Sequence, residues 1–260
     1  MPLLELKDLR VSFHDRSTEQ EVVHGVSLSL EPGEIVGIVG ESGSGKTQTA
    51  LAVAHLSRQD AVLSGEILFD GTDLLRLPER DVLKIQGDDI AMVFQEPMTS
   101  LNPTMRIGRQ VEESLKLHKK LTRDERKQLA LAALRDVELP DPEGVYRRYP
   151  HELSGGQRQR VMIAAAIACD PKLLIADEPT TALDVTIQAE ILKLLAKLNR
   201  EKGMAILFIS HDLRVIRRLC SRVIVMCGGN IVEQGAVEDI FRAPQQDYTK
   251  KLIASIPTRR

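Results

Sequence analysis

Two hydrophobic periods alternate along this chain. Short, nearly unbroken apolar runs occur at 35–39, 90–94, 172–176 and 204–209, between segments whose apolar residues recur every three or four positions. The runs are too short for helices and carry no polar alternation, so each predicts a strand buried on both faces. Strands of that kind separated by amphipathic helices predict an α/β fold. Residues 3–13 and 23–30 alternate instead and read as edge strands, with the polar segment 14–21 as a hairpin loop. Ser64-Gly65 and Asp70-Gly71 bound a short strand at 66–69, and Gly228-Gly229 turns between strands at 222–226 and 230–234. From 106 to about 150 the pattern is helical. Thr122 and Glu125 there form a capping box opening a helix with Leu129, Ala132, Ala133 and Val137 on one side. Further helices are predicted at 158–169 and 186–202. The second has a core stripe of Ile187, Ile191, Leu194, Leu195 and Leu198, stopped by Gly203.

The candidate chemistry sits where the buried strands end. After the run at 35–39 come Gly40-Glu41-Ser42-Gly43-Ser44-Gly45-Lys46-Thr47, which fit the pattern of a phosphate-binding loop, with a helix predicted at 48–56. Glycines let successive backbone N–H groups turn toward phosphate oxygens, and the helix N-terminus adds its positive end. Lys46 is then placed for the β- and γ-phosphates and the Thr47 hydroxyl for Mg²⁺. The strand at 90–94 ends at Gln95, before a loop that Pro97 and Pro103 keep irregular. The strand at 172–176 ends in Asp177-Glu178, the carboxylates that a Mg²⁺·nucleotide needs beside its phosphate loop, one for the metal and one for the attacking water. The strand at 204–209 ends at Ser210-His211-Asp212, and a histidine there is placed to sense a γ-phosphate. Leu153-Ser154-Gly155-Gly156-Gln157 open the helix at 158–169, with Ser154 placed to cap, and make a second anion-binding helix start.

Composition narrows the setting. A formal net charge of −2 gives no general electrostatic reason to bind nucleic acid. The longest apolar run, 161–169, is far short of the roughly 20 residues needed to cross a bilayer. Acids interrupt the first residues where a signal peptide would be apolar. Any membrane role is therefore expected through a partner, at the cytoplasmic face. Cys169, Cys220 and Cys227 lack metal-binding spacing and read as inert thiols of a reducing compartment.

With these pieces in one order, the chain resembles the ATP-binding subunit of an ABC transporter over essentially its whole length. The resemblance rests on the phosphate loop 40–47, Gln95, the signature 153–157, Asp177-Glu178, Asp184 and His211. The wording of Phe94-Gln95-Glu96-Pro97-Met98-Thr99-Ser100-Leu101-Asn102-Pro103, and of Ala176 through Asp184, is similar to the importers of oligopeptides, dipeptides and nickel. Longer members carry a C-terminal extension with clustered cysteines. None follows Tyr248-Thr249 here, which the resemblance reads as a shorter subunit, nickel or metallophore types included, or as a shortened form of a longer one.

The resemblance implies a P-loop NTPase fold, a RecA-like core with an antiparallel β subdomain and an inserted helical subdomain. The core would comprise 1–95 and 170–245, the helical signature subdomain 96–169 and a tail 246–260. It also implies ATP and Mg²⁺ as ligands. Phe13 would stack on adenine, although tyrosine is commoner there, and residues 40–48, with Gln48 the last, would hold the phosphates. Thr47, Gln95 and Asp177 would attend the metal, and Glu178 and His211 the chemistry. Ser154, Gly155, Gly156, Gln157 and Asp184 would meet the nucleotide of a second, identical or sister, ATPase in a head-to-tail dimer. Two transmembrane permease subunits and, indirectly, an extracytoplasmic substrate-binding protein would complete the assembly. Two rivals fit less well. A non-transport relative acting on DNA or ribosomes usually carries a second ATPase domain or a coiled-coil insertion, and a small-molecule kinase has no use for both the signature and His211.

Overall fold

The computed structural model describes every residue except 16–17, 96–99, 182 and 257–260, and at 15, 18 and 19 it describes the backbone alone. Two compact units result, Met1–Val82 with Ala205–Arg260, and Leu83–Met204. The chain first passes between them within α2 (Glu79–Ile85).

The first unit holds two sheets. One is antiparallel, in the order β2 (Thr18–Leu30), β1 (Leu4–Asp15), β4 (Ala61–Phe69), β5 (Thr72–Asp73). Residues 3–13, expected at an edge, thus lie between two strands, and Leu4, Leu6, Leu9 and Val11 are buried. The segment expected as a loop at 14–21 is largely strand, because His14 pairs with Glu19 and Phe13 with Gln20. Alternation marks one buried face of a strand and says nothing about how many neighbours it has, so the pattern alone cannot separate edge from centre.

In the second sheet β3 (Ile35–Val39) pairs in parallel with β8 (Ala205–Ser210) and with β9 (Arg222–Cys227), and β10 (Asn230–Ala236) lies antiparallel on β9. All five residues of β3 and all six of β8 are buried, as their unbroken apolar runs require. Around these strands lie α1 (Lys46–Val53), α8 (Leu213–Leu219), α9 (Val237–Arg242) and α10 (Asp247–Ala254).

The second unit pairs β6 (Ile90–Val93) with β7 (Leu173–Asp177) in parallel, and packs α3 (Ile107–His118), α4 (Arg123–Asp136), α5 (Pro142–Arg147) and α6 (Gly155–Ile167) together. α7 (Val185–Lys202) follows β7 and ends at Gly203, whose φ of 65° is a left-handed helix stop. Its buried stripe is Ile191, Leu192, Leu194, Leu195 and Leu198, with Ile187 only half-buried.

The Thr122–Glu125 capping box opens α4 as expected, with the Glu125 carboxylate accepting from the Thr122 N–H at 2.7 Å. The buried face of that helix is turned from the expected one. Ala130, Leu131, Ala133, Leu134 and Val137 are covered, whereas Leu129 is 42% exposed. Apolar residues at 129–134 are almost continuous, so two neighbouring stripes satisfy the helical period and packing selects between them. Leu134→Ala is accordingly expected to cost about 2–5 kcal/mol of unfolding free energy. Leu129→Ala should cost no more than about 0.5 kcal/mol. Urea denaturation of the two variants reads the difference.

Candidate functional site

In the first unit, parallel register gathers the site. Val39 stands abreast of Ser210 on one side and Val225 on the other, so the residues after β3, β8 and β9 emerge at one end of the sheet. Ligands of open α/β sheets collect at such carboxyl ends. Gly40 begins the phosphate loop there, and His211, exposed, begins the next segment over.

The loop's shape demands glycine at its start, where a Cβ on Gly40 would lie 2.2 Å from the Met226 carbonyl oxygen. It turns through Gly45, at φ 93°, into α1, whose N-terminus no side chain caps. A helix start without a side-chain cap presents backbone N–H groups to an anion. Lys46 is buried, its ammonium donating to the Gly40 and Glu41 carbonyls at 2.8 Å each and reaching Ser44 Oγ at 3.3 Å. The loop is braced from outside by the Gly229 N–H on the Ser44 carbonyl, and the Gly229 carbonyl accepts from His24. The turn at Gly228-Gly229 thus serves the phosphate loop, which its sequence did not suggest. Tyr248, on α10, also reaches the loop, its hydroxyl accepting from the Glu41 N–H at 3.0 Å. No pattern in the sequence singles it out.

Phe13 is half-buried on β1 beside Ala61, and the Arg58 guanidinium lies 5.3 Å over its ring. Asp212 caps α8 and pairs with Arg214. Burial pushes its carboxyl pKa up, but the Arg214 hydrogen bonds and charge outweigh this and leave it lowered, hence ionised at neutral pH.

The second unit repeats the geometry. Val93 stands abreast of Ala176, so Gln95 and the Asp177-Glu178 pair leave the same end of a parallel pair. Asp177 is 5% exposed at the end of β7. Glu178 takes a φ of 46°, a left-handed conformation that costs a non-glycine residue about 1–2 kcal/mol. Its Oε2 accepts from Gln95 Nε2 at 3.3 Å and from the Thr181 hydroxyl at 2.9 Å. Thr181 is therefore a further member of this cluster, and its place three residues after Glu178 is the only trace it leaves in sequence. Residues 96–99 and Ala182 lie outside the described residues.

The same unit joins the signature to Asp184. Ser154 Oγ accepts from the Gln157 N–H at 3.3 Å while Gln157 Oε1 accepts from the Ser154 N–H at 3.0 Å, a complete capping box. That use of a lone pair leaves the Ser154 O–H to donate. Asp184 caps α7 by accepting from the Ile187 N–H at 2.9 Å, and Ile187 packs against Gly156, where an added Cβ would lie 3.0 Å from its methyl. Buried Leu153 fixes the turn, and Ser154 and Gly155 stand exposed beyond it.

The family described as ABC transporter matches residues 23–181, more than half of the chain. The chain belongs to the ABC transporter family. Its fold is that of an ABC ATPase cassette, which binds ATP. The ATP-binding cassette MJ0796, solved as a dimer in a post-hydrolysis state with ADP and Pi, superposes with a TM-score of 0.80 at 32% identity, over 90% of this chain and 98% of that one. The dipeptide transport ATP-binding protein DppD of Haemophilus influenzae is 50% identical over 99% of this chain and 78% of its own length. The peptidoglycan transport ATP-binding protein YejF of Agrobacterium fabrum is 54% identical over 98% of this chain, which spans about half (47%) of that relative.

The close approach at Gly40 gives a direct test. Gly40→Ala should lower ATP affinity at least tenfold, equivalent to about 1.4 kcal/mol, in a titration with a fluorescent ATP analogue. Gly155→Ala, where the added methyl meets no atom within 4 Å, should leave that affinity unchanged.

Proposed function

We propose that this ABC ATPase powers import of peptides, or of nickel and metal chelates as an alternative cargo, through two membrane-embedded permease subunits. An extracytoplasmic substrate-binding protein would feed the permease, and the ATPase would sit at the cytoplasmic face. Among the described residues no helix is long and apolar enough to cross a membrane, which fits attachment through those partners. Relatives named for dipeptide, oligopeptide and peptidoglycan transport, near 50% identity over nearly the whole chain, favour peptidic cargo.

One observation carries the mechanism: the chain has two glycine-led helix starts of different design. The uncapped start of α1 has a buried ammonium beside it, whereas the start of α6 is capped by Ser154 and shows its hydroxyl and Gly155 outward. Two such ends are explained if they serve different nucleotides. Residues 40–48 of one subunit hold the phosphates, Phe13 supplies a ring for adenine, and Ser154, Gly155, Gly156, Gln157 and Asp184 of the second subunit cover the γ-phosphate. An identical or sister ATPase fills the second place, as in the dimer solved for MJ0796.

Thr47, Gln95 and Asp177 offer oxygen donors alone, the set that Mg²⁺ prefers. Among the described residues no cluster of three or more His, Cys, Asp or Glu side chains would hold a metal by itself. A divalent ion shared with substrate phosphates needs no such cage. When bound, Mg²⁺ would neutralise charge on the β- and γ-phosphates. The chain's own groups do the rest. Lys46 holds phosphate oxygens, and Glu178, oriented by Gln95 and Thr181, accepts the proton of the attacking water. His211 positions the γ-phosphate, and Gln95 links the cluster to the helical residues that follow it.

Two substitutions test this. Glu178→Gln should still bind ATP and hydrolyse it about 10²–10⁴ times more slowly in a phosphate-release assay; unchanged turnover would remove the base assignment. Ser154→Arg should abolish turnover while monomeric protein still binds ATP, and loss of monomer binding would refute a role on the second nucleotide. A pull-down of tagged Glu178→Gln with ATP in mild detergent should recover two permeases and a second P-loop subunit, whereas ribosomes or DNA-repair proteins alone would overturn the transporter reading.

A further inference from the structure

The first peptide of the phosphate loop is gripped at both ends. Its carbonyl, on Gly40, accepts from the Lys46 ammonium at 2.8 Å, and its N–H, on Glu41, donates to the Tyr248 hydroxyl at 3.0 Å. A peptide unit is planar, so fixing its N–H fixes where its carbonyl points. The direction of the Glu41 N–H therefore determines whether the Gly40 oxygen meets Lys46.

Tyr248 is itself held. The Glu233 carboxylate on β10 accepts from the Gln245 and Gln246 backbone N–H groups at 2.8 and 3.1 Å, pinning the start of α10, and Thr249 beside Tyr248 is fully buried. An acidic group at a helix N-terminus is electrostatically favourable. The last turn of α10 and the residues after it, through Leu252, Ser255 and Ile256, wall a groove of about 210 Å³ whose other side is the segment from His211 to Arg214. One helix thus touches the phosphate loop at its first turn and faces the histidine segment at its last.

We infer that Tyr248 is a positioning residue for nucleotide binding, and that α10 forms part of the phosphate-binding apparatus. The hydroxyl orients the Gly40–Glu41 peptide so that its carbonyl holds the Lys46 ammonium at the loop, and a displacement of α10 releases both. This rests on the reading of residues 40–47 as the ATP site. The protonated phenol is the form that operates, since burial raises the Tyr248 pKa above its ordinary value while the bond from Glu41 opposes the rise.

The experiment uses the full chain and Tyr248→Phe, which keeps the ring and removes only the acceptor. Two measurements are made: calorimetric titration with ATPγS, and hydrogen exchange of the Glu41 amide without nucleotide. The expected result is affinity weakened roughly threefold to tenfold, the worth of one neutral hydrogen bond. Exchange at Glu41 should accelerate by a similar or larger factor, and KM for ATP should rise more than kcat falls. Glu233→Gln, which loosens the hold on α10 without touching the loop, should shift both readouts in the same direction and serves if Tyr248→Phe does not fold. Unaltered affinity with unaltered Glu41 exchange overturns the inference. So does a lowered melting temperature with affinity unmoved, which would make Tyr248 merely a packing residue. Lys46→Ala separates this from failure of the underlying reading: if that variant binds ATPγS as well as the wild type, residues 40–47 are not the nucleotide site, while Glu41 exchange still reports on Tyr248.

Discussion

Parallel pairing in register is the constraint on which the functional arrangement depends. Two parallel strands that start level also end level, so the residues that follow them emerge side by side whatever their separation in sequence. Val39 beside Ser210 puts the phosphate loop next to His211, 164 or more positions later in the chain, and Val93 beside Ala176 does the same for Gln95 and the Asp177-Glu178 pair. A slip of one residue would turn the side chains of a strand to the opposite face and move the whole set out of place. Burial on both faces makes such a slip costly. β3, β7 and β8 expose none of their residues, so their register is held by packing as well as by hydrogen bonds.

Local signals that a single stretch can carry were legible in the sequence. The strand ends, the glycine loop, the Thr122–Glu125 capping box, Ser154 as a helix cap and the Gly203 stop each depend on one short stretch, and the structure has them where the pattern puts them. The ABC family reading grew from the order of such pieces. Signals that depend on distant neighbours were not legible. The central place of β1 is decided by its pairing with β4, whose residues lie 48 to 65 positions further on, and the buried face of α4 by the helices packed on it. The contacts of Thr181 and Tyr248 are hidden for the same reason, because a hydroxyl shows its partner only once the chain has folded.

On the proposed reading, several residues carry two duties at once. Ser154 and Asp184 each cap a helix with one oxygen, and the same side chains stand at the ends assigned to a second nucleotide. Gly156 gives Ile187 room, so the turn that exposes Gly155 also fixes the distance between α6 and α7 at their starts. In such places structural and functional demands coincide, and a substitution there is felt in both. The cysteines show the opposite case. Cys169 and Cys220 are buried and burial raises both thiol pKa values, so neither is a ready nucleophile.

The left-handed backbone at Glu178 sets its side chain and its main chain at odds. Glycine adopts that conformation freely and glutamate adopts it at a cost, so the backbone alone would favour glycine at position 178. Glycine there would gain ease in the chain and lose the carboxylate that Gln95 and Thr181 hold. A glutamate is held there at a cost to the backbone, and its carboxylate gains in exchange the hydrogen bonds from Gln95 and the Thr181 hydroxyl.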